Sequence, residues 1–517
     1  MFPEKGTDMK KLIALLLCLA AMGTSLAACR KNPSSSGEAS STKGAVTTPE
    51  DSGRQEGDGS RDLSDLSQRA DTKDYLPEDL NYGGKEFVTY SFKEQYEMDV
   101  QGTEYTGDVV KDLVYSRNRA VEERLKCVIV NKRSPAKNFV DFAAEVKNIQ
   151  QVAPESYHAI FTMGNSAIQL GNFNLYQDVD DMSRLSLKSG WWWNQAMQEV
   201  SFDVNHRKFL IGDICLSNYT RCGVMLVNLT DYNNKFPEEK IDGLYQLVQD
   251  RNWTMAELKA RVRQAYVDVD GNGVRLEDSG DFLGLSLGNI EMIKFMEYAF
   301  DVKRYSRDAD GCAILDYDVN RAVTAADKLI DLLFDDNEGV YWQEGYQNGS
   351  EFAQGRTLFQ VSWMSMLLSG NMAKMEKTYT IVPLPMLDEQ QKEYTTNVQN
   401  SSQMVGFLKG MQEVEFASTV VEAMCTESYR SVIFPFYETA LKIQYARESG
   451  IAGMIDIIMK TATKNFLYEY EAGGGCGVLI SQVVLMESNQ IVSEYGRRAT
   501  TTSELLEKWK RDLYPQK

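Results

Sequence analysis

The pattern that most constrains the fold is an alternation of strand-like and helix-like segments early in the chain. KEFVTYSF at 85–92 alternates in polarity and is rich in β-branched and aromatic residues, as strands are. Residues 107–125 repeat apolar side chains at helical spacing, and short apolar strands at 127–132 and 158–164 flank a polar helix near 137–151. This order predicts a parallel sheet with crossover helices.

The same alternation continues to the end of the 517 residues, so we expect an α/β fold throughout, with no repeat of fixed period. Further strands are predicted at 209–216, 222–229, 355–363 and 379–386, and an amphipathic helix at 319–334. The length predicts two or three domains, and 43% hydrophobic residues allow a substantial core.

The first 29 residues have the layout of a secretory signal. A short basic start precedes the apolar run LIALLLCLAAM at 12–22, which is too short to span a bilayer as a mature helix. LAAC at 26–29 resembles a bacterial lipobox, so residues 1–28 are predicted to be a lipoprotein signal peptide and Cys29 the lipidated residue. The alternative is an ordinary cleaved signal in which Cys29 is incidental. Lipidation predicts anchoring on the extracytoplasmic face of the cell membrane.

Residues 29–83 are predicted to be a disordered Ser/Gly-rich tether. The run at 30–62 has no aromatic residue and is rich in Ser, Gly, Thr and charge, so it cannot bury enough surface to fold. We expect the folded part to begin near residue 84.

Charge and rare residues exclude some function classes. Lys+Arg 55 against Asp+Glu 74 gives a net charge of -19, which disfavours nucleic acid as a partner. The two histidines and the scattered cysteines show no metal-binding spacing, and no carboxylate pair stands out as catalytic. Cys215 and Cys222 either pair across a hairpin or remain free, like the other cysteines of the folded part.

Several segments together resemble bacterial extracellular solute-binding proteins, the carbohydrate-type lipoproteins of ABC importers. YSRNRAVEERLKCVIV resembles the family's first long helix and second strand, and LYQLVQDRNWTMAEL its paired helices around Trp-Thr. FAQGRTLFQVSWMSML resembles its Gly-then-strand segment ending in an aromatic residue. VPLPMLDEQQKEYTT and YETALKIQYARESGIAGMIDIIM resemble a late connection and a late helical segment. The matches cover about residues 84 to 515 in the family's order.

The resemblance implies a type II periplasmic-binding-protein-like fold, with two discontinuous α/β lobes joined by hinge strands. By this analogy lobe 1 comprises 84–215 and 335–395, and lobe 2 comprises 216–334 and 396–517. It implies a monomer that captures a sugar or oligosaccharide between the lobes and delivers it to the transmembrane subunits of an ABC permease, without catalysis and without a required cofactor. The alternatives left open are a cell-surface glycan-acting enzyme and a solute sensor for a membrane kinase.

The candidate ligand residues combine aromatic rings, which stack on sugar faces, with carboxylates and amides, which bond hydroxyl groups. Trp363 matches the family's aromatic residue at the cleft, and part of the WWW triplet at 191–193 is a second candidate platform, each against an alternative as core tryptophan. Polar residues near the expected hinge and the loop after the first strand add further candidates. The set is Trp363, Trp192, Asp213, Asn218, Tyr219 and Tyr96.

DVDGNGVRLEDSGD at 268–281 begins like a calcium-binding loop. Carboxylate, amide and carbonyl oxygens recur at alternate positions, but Ser279 stands where a bidentate Glu is expected. The solute-binding family often carries a similar loop, so the interpretation is either a structural calcium site or a polar surface turn. The candidate ligands are Asp268, Asp270, Asn272, Val274, Asp278 and Asp281.

Overall fold

The computed structural model describes residues 66–92, 99–100, 109–167, 172–271, 280–343, 350–369, 372–437, 450–470 and 475–514. Contacts divide the chain into two units, Met1–Gln55 and Glu56–Lys517, and every described residue belongs to the second. The predicted signal peptide and Cys29 lie outside the described residues.

The described residues of this second unit include thirteen strands and seventeen α-helices. The strands are β1 Lys85–Ser91, β2 Cys127–Arg133, β3 Ala159–Met163, β4 Gly223–Asn228, β5 Leu283–Leu287, β6 Tyr305–Arg307, β7 Ala313–Leu315, β8 Val340–Trp342, β9 Thr357–Trp363, β10 Tyr379–Val382, β11 Thr396–Asn397, β12 Gln403–Gly406 and β13 Ala462–Thr463. The helices are α1 Val109–Leu125, α2 Phe139–Val152, α3 Gly164–Ala167, α4 Asn194–Val200, α5 Ser217–Thr220, α6 Leu229–Lys235, α7 Lys240–Gln249, α8 Met255–Ala265, α9 Ile290–Ala299, α10 Val319–Ile330, α11 Ser350–Ala353, α12 Val414–Ser431, α13 Ile433–Phe436, α14 Ile451–Lys460, α15 Phe466–Glu469, α16 Leu479–Val484 and α17 Ile491–Leu513. Short 3-10 helices occupy Leu66–Asp71, Pro154–Ser156, Asn172–Leu175, Met364–Leu368, Met372–Lys374 and Cys476–Val478, and a π-helical turn occupies Asp331–Asp335.

The first sheet has the strand order β12-β3-β1-β2. β1 pairs in parallel with β2 and with β3, which confirms the parallel arrangement predicted from the alternating segments. β12 adds to β3 in the antiparallel direction. All five residues of β3 are buried, because this central strand is covered on both faces. A hydrophobic core that includes Phe87 and Phe161 forms around the sheet.

The second sheet has the order β10-β4-β9-β5-β8. β5 is parallel to β8 and β9, whereas β4 is antiparallel to β9 and β10. A second hydrophobic core, which includes Trp253 and Phe359, packs against it. None of the helices in the described parts of the chain is long and apolar enough to cross a membrane.

Strand pairing distributes the chain between the sheets differently from the expected lobe boundaries. β8, β9 and β10 lie within 335–395, which was assigned to lobe 1, yet they pair with β4 and β5 in the second sheet. β12 lies within 396–517, which was assigned to lobe 2, yet it pairs with β3 in the first sheet. Hydrogen-bonded register decides sheet membership, and it is not visible in the order of segments. We therefore propose that the lobes follow the two sheets.

Two other sequence predictions differ from the structure. Residues 209–216 form isolated bridges, such as Leu210 with Val405, and no regular strand. The tether was predicted to reach residue 83, but Leu76 is 6% exposed, and the guanidinium of Arg69 lies 4.0 Å from the ring centre of Tyr429. A few anchoring side chains therefore fix this polar stretch to the folded part.

The six cysteines of the described residues are buried free thiols, so Cys215 and Cys222 are not paired.

Two chain segments that lie side by side run between the two sheets. Arg221–Cys222 leads from α5 into β4, and Val398–Gln399 leads from β11 towards β12. Cys222 forms an antiparallel bridge with Val398, and the Gln399 amide donates to the Arg221 carbonyl at 3.1 Å. We call these two segments the crossing segments. They place the carboxyl end of β9 close to the first sheet.

Candidate functional site

Trp363 ends β9 beside the crossing segments. Its side chain is partly exposed, and its Nε1 donates a hydrogen bond to Oε1 of Gln399 at 2.8 Å. Phe295 meets the indole edge-on, with ring centroids 6.2 Å apart. The ring is therefore held in position at one edge while part of its surface stays accessible, as a stacking platform requires.

A polar network extends from Gln399. Its Nε2 donates to Oε2 of Glu291 at 3.0 Å, and the Ser401 hydroxyl donates to its Oε1 at 2.9 Å. Glu291 also accepts from the Tyr468 hydroxyl at 3.2 Å and from Nζ of Lys294 at 2.8 Å. The Glu291 side chain remains 25% exposed. A carboxylate and an amide held this way can bond the hydroxyl groups of a solute.

The edge of the first sheet presents buried polar atoms. Gln403 pairs with the last residue of β3, so Ser402 precedes β12 at the edge where the chain leaves β3. Oδ1 of Asn165, Oγ of Ser166 and Oγ of Ser402 are shielded from solvent and have no hydrogen-bond partner among the described residues. Buried polar atoms are normally paired, so this edge has hydrogen-bonding capacity to offer a solute.

Glu469 packs closely against the same edge. A Cβ atom built on Gly164 would lie 1.9 Å from Oε2 of Glu469, so only glycine leaves room for this carboxylate. Oε1 of Glu469 accepts from Nζ of Lys464 at 3.0 Å, and both side chains are fully buried. We define the edge site by three parts: the edge of the first sheet at the carboxyl end of β3, Trp363, and the Gln399 network.

Trp192, predicted as a second platform, lies in the first core. It is 0% exposed, and its Nε1 donates to Oε2 of Glu422 at 2.8 Å, while Trp191 donates to the other carboxylate oxygen at 2.9 Å. Burial raises the pKa of Glu422 to about 7, although the indole N–H groups oppose that shift. A fully covered ring has no free face for a sugar, so the placement gives Trp192 a structural role.

The predicted hinge residues are buried as well. Oδ1 of Asp213 accepts hydrogen bonds from Nε1 of Trp193 at 2.9 Å and from the Tyr219 hydroxyl at 2.6 Å. The two predicted ligand residues Asp213 and Tyr219 therefore bond each other within the protein. Asn218 is 0% exposed, and its Oδ1 has no partner among the described residues. The neighbouring Ser217 hydroxyl accepts from the Gln403 amide at 2.9 Å, which places Asn218 near the edge site. Tyr96 lies outside the described residues.

Three of the six predicted calcium ligands come together. One carboxylate oxygen from each of Asp268, Asp270 and Asp281 lies within 4.8 Å of the others. Oδ1 of Asp281 accepts from the Val269 amide at 2.9 Å, which ties the two ends of the loop together. Asn272, Val274 and Asp278 lie outside the described residues. A group of three carboxylates fits the oxygen preference of calcium, and metal binding here stays a prediction.

Sequence reasoning missed Trp342, Gln399 and Glu291. Trp342 ends β8 as Trp363 ends β9, and both are partly exposed at the same edge of the second sheet. The sequence could have indicated Trp342 as well, because it closes a short apolar run just as Trp363 closes a strand. Gln399 and Glu291 belong to a turn and a helix first turn, where polar residues are ordinary, so no local signal marks them.

No protein-family model matches the chain, and no curated protein matches it significantly. Among solved structures, UgpB from Mycobacterium tuberculosis in complex with glycerophosphocholine aligns at 10% identity over 83% of this chain and 100% of that one, with a TM-score of 0.50. The GacH receptor of Streptomyces glaucescens, solved unliganded and with acarbose, aligns at 11% identity over 82% and 99%, with a TM-score of 0.48. A solute binding protein of an ABC transporter from Thermotoga lettingae, bound with α-D-tagatose, aligns at 13% identity over 82% and 100%, with a TM-score of 0.49.

At these identities the similarity concerns the fold alone. The mixed α/β class expected from the sequence is confirmed by this likeness and by the strand pairing. The chain has the two-lobe α/β fold of solute-binding proteins.

Proposed function

We propose that the protein is an extracytoplasmic receptor that captures a carbohydrate, a sugar or an oligosaccharide, between its lobes and does no chemistry on it. The observation that carries the proposal is the position of Trp363. A partly exposed indole stands beside the crossing segments, next to the Gln399–Glu291 network and close to unpaired polar atoms of the first sheet.

The edge site matches the chemistry of a sugar. An apolar ring face stacks on the Trp363 indole, and hydroxyl groups donate to the Glu291 carboxylate or to Oδ1 of Asn165. The hydroxyls of Ser166 and Ser402 can donate to ring or hydroxyl oxygens of the solute. Because these groups come from both sheets, a bound sugar contacts both lobes at once and favours the closed arrangement.

Delivery and anchoring complete the proposal. The closed receptor passes its sugar to the transmembrane subunits of an ABC permease, and lipidated Cys29 keeps it at the extracytoplasmic face of the membrane. The support is the solute-binding fold together with the LAAC motif at 26–29. Structural calcium bound by Asp268, Asp270 and Asp281 would fix the loop before β5, away from the solute.

Calorimetric titration of the purified protein tests the proposal, with mono- and oligosaccharides compared against glycerophosphodiesters and peptides. We expect one sugar class to bind. Trp363→Ala should weaken its binding by about 30-fold, because an anchoring aromatic residue contributes about 2 kcal/mol. Tyr75→Ala is the matched control, since Tyr75 is 51% exposed and packs near Trp191 in the first core.

Three outcomes would contradict the proposal. Binding confined to phosphodiesters or peptides would show that the solute class is wrong. Unchanged sugar affinity in Trp363→Ala would remove Trp363 from the site. Release of smaller sugars from a labelled glycan by the pure protein would show an enzyme instead of a receptor.

A further inference from the structure

A second cleft, of about 370 Å³, lies outside the edge site. One wall is α4 with Glu199, a helix whose apolar residues belong to the first core. The opposite wall is the carboxyl end of α9 and the chain after it, with Arg304 and with Val302, which belongs to the second core. The floor is the pair β11 and β13, with Asn397 and Thr463. We call it the α4–α9 cleft.

The α4–α9 cleft is separate from the edge site. Trp363, Gln399 and Asn165 do not line it. The two places are divided by the segment that carries Lys464 and Glu469. Lys464 lines the cleft, and the partner of its ammonium group, Glu469, packs against Gly164 at the edge site.

The main buried charges of the α4–α9 cleft are neutralised within the protein. Arg304 pairs with Glu297 at 3.2 Å, and both side chains are at most 2% exposed. Lys464 pairs with Glu469 at 3.0 Å. A charged ligand would find no uncompensated buried counter-charge in these pairs, and breaking a buried pair is costly. The lining has three acidic residues, Glu199, Asp301 and Glu393, and three basic residues, Arg304, Lys460 and Lys464, so it favours a neutral ligand.

The hydrogen-bonding groups of the lining define the ligand further. Asn397 is 1% exposed, and its Nδ2 has no acceptor among the described residues. A buried amide of this kind is normally paired, so it calls for an oxygen acceptor from a molecule in the cleft. Gln195, Thr395 and Thr461 add further amide and hydroxyl groups to the lining.

We propose that the α4–α9 cleft is a second binding site, which takes a small neutral polyhydroxylated molecule with one oxygen accepting from Nδ2 of Asn397. Its volume lies in the range of small-molecule sites, about 300–1,000 Å³. Because one wall belongs to each core, a bound molecule stabilises the arrangement of lobes in which both walls reach it. The site therefore acts on lobe closure without contacting Trp363.

Saturation-transfer NMR on the full chain, with millimolar myo-inositol as the probe, tests this site. We expect transfer to myo-inositol in the parent protein and in Trp363→Ala. Asn397→Leu and Asn397→Asp should each lower the transfer at least tenfold, because the first removes the donor and the second replaces it by an acceptor. Asn397→Leu is expected to fold, since an apolar side chain of similar size removes a buried Nδ2 donor that has no acceptor among the described residues.

The readouts separate this proposal from the proposed function. No transfer in the parent protein would overturn the second site, and so would transfer in both Asn397 variants that equals the transfer in the parent protein. Loss of transfer in Trp363→Ala as well would show a single continuous site and also overturn it. Failure of Trp363→Ala to affect sugar affinity would contradict only the proposed function.

Discussion

Glu422 illustrates, at the scale of single residues, how burial and hydrogen bonding compete. Its carboxyl group accepts from Nε1 of Trp191, Nε1 of Trp192 and the Ser186 amide, contacts that favour the charged form. Burial nevertheless raises its pKa to about 7 from an ordinary 4.5, because desolvation of the carboxylate outweighs these bonds. One acid thus orients two adjacent tryptophans of the WWW triplet.

The raised pKa of Glu422 predicts a pH dependence of stability. Between pH 4.5 and about 7 the folded state retains a proton that the unfolded state releases. Its contribution is therefore complete below pH 4.5 and is lost as the pH rises to about 7, a loss of about 3 kcal/mol. Glu422→Gln should remove this decline while losing about 1 kcal/mol at low pH from one indole hydrogen bond.

Urea unfolding between pH 4.5 and 8 measures the difference between parent and variant. Glu504→Gln, at an exposed position of α17, is the control and should leave the pH profile unchanged. A Glu422→Gln profile that is parallel to the parent's would contradict the assignment of the decline to this carboxyl group.

At the scale of elements, Gly284 sets how closely β5 approaches α8. A Cβ atom there would lie 2.2 Å from the backbone oxygen of Val262, and backbone cannot move aside as a side chain can. Gly284→Ala should therefore destabilise the fold by about 1–3 kcal/mol. Gly496→Ala in the exposed part of α17 meets nothing within 4 Å and should stabilise by about 0.5–1 kcal/mol, because alanine favours the helix. Equal effects of the two substitutions in chemical denaturation would contradict the close contact.

The 268–281 loop yields a second prediction about an element. If Asp268, Asp270 and Asp281 hold calcium, millimolar calcium should raise the melting temperature and a chelator should reverse the rise. Asp281→Asn should abolish the calcium effect, whereas Asp242→Asn, at an exposed position in α7, should preserve it. An identical calcium response in parent and Asp281→Asn would contradict the site, and a thermal-shift series measures it.

Elements with strong local patterns were predicted well, and those defined by long-range pairing were not. The predicted strand at 85–92 and helix at 107–125 match β1 and α1 within two residues at each end. Residues 209–216 look like a strand by composition, but their neighbours include the WWW triplet, and a Cβ atom on Gly212 would lie 2.6 Å from the Trp191 carbonyl. Packing of that kind depends on residues far along the chain, so local sequence does not report it.

At the scale of the whole molecule, the two sheets and the crossing segments predict closure on a ligand. A sugar that bonds both the Gln399 network and the first-sheet edge binds more tightly to the closed form, so saturation should shift the population towards it. Small-angle scattering should show a smaller radius of gyration with sugar, and no change for Trp363→Ala at the same sugar concentration. A radius unaffected by saturating sugar in the parent protein would contradict closure.

The sequence by itself determined the α/β class and the parallel core of the first sheet, because periodicity is a local property. The ligand role of Trp363, inferred from its strand-end position and from the family resemblance, stays a prediction. The sequence also predicted the secretory layout and LAAC motif of the first 29 residues, which lie outside the described residues. Only the tertiary structure decided which sheet β8, β9, β10 and β12 join, that Trp192 is buried, and that Gln399 and Glu291 stand beside Trp363. These features arise from hydrogen-bond register and side-chain packing between residues distant in the chain, and those are settled only when the whole chain is folded.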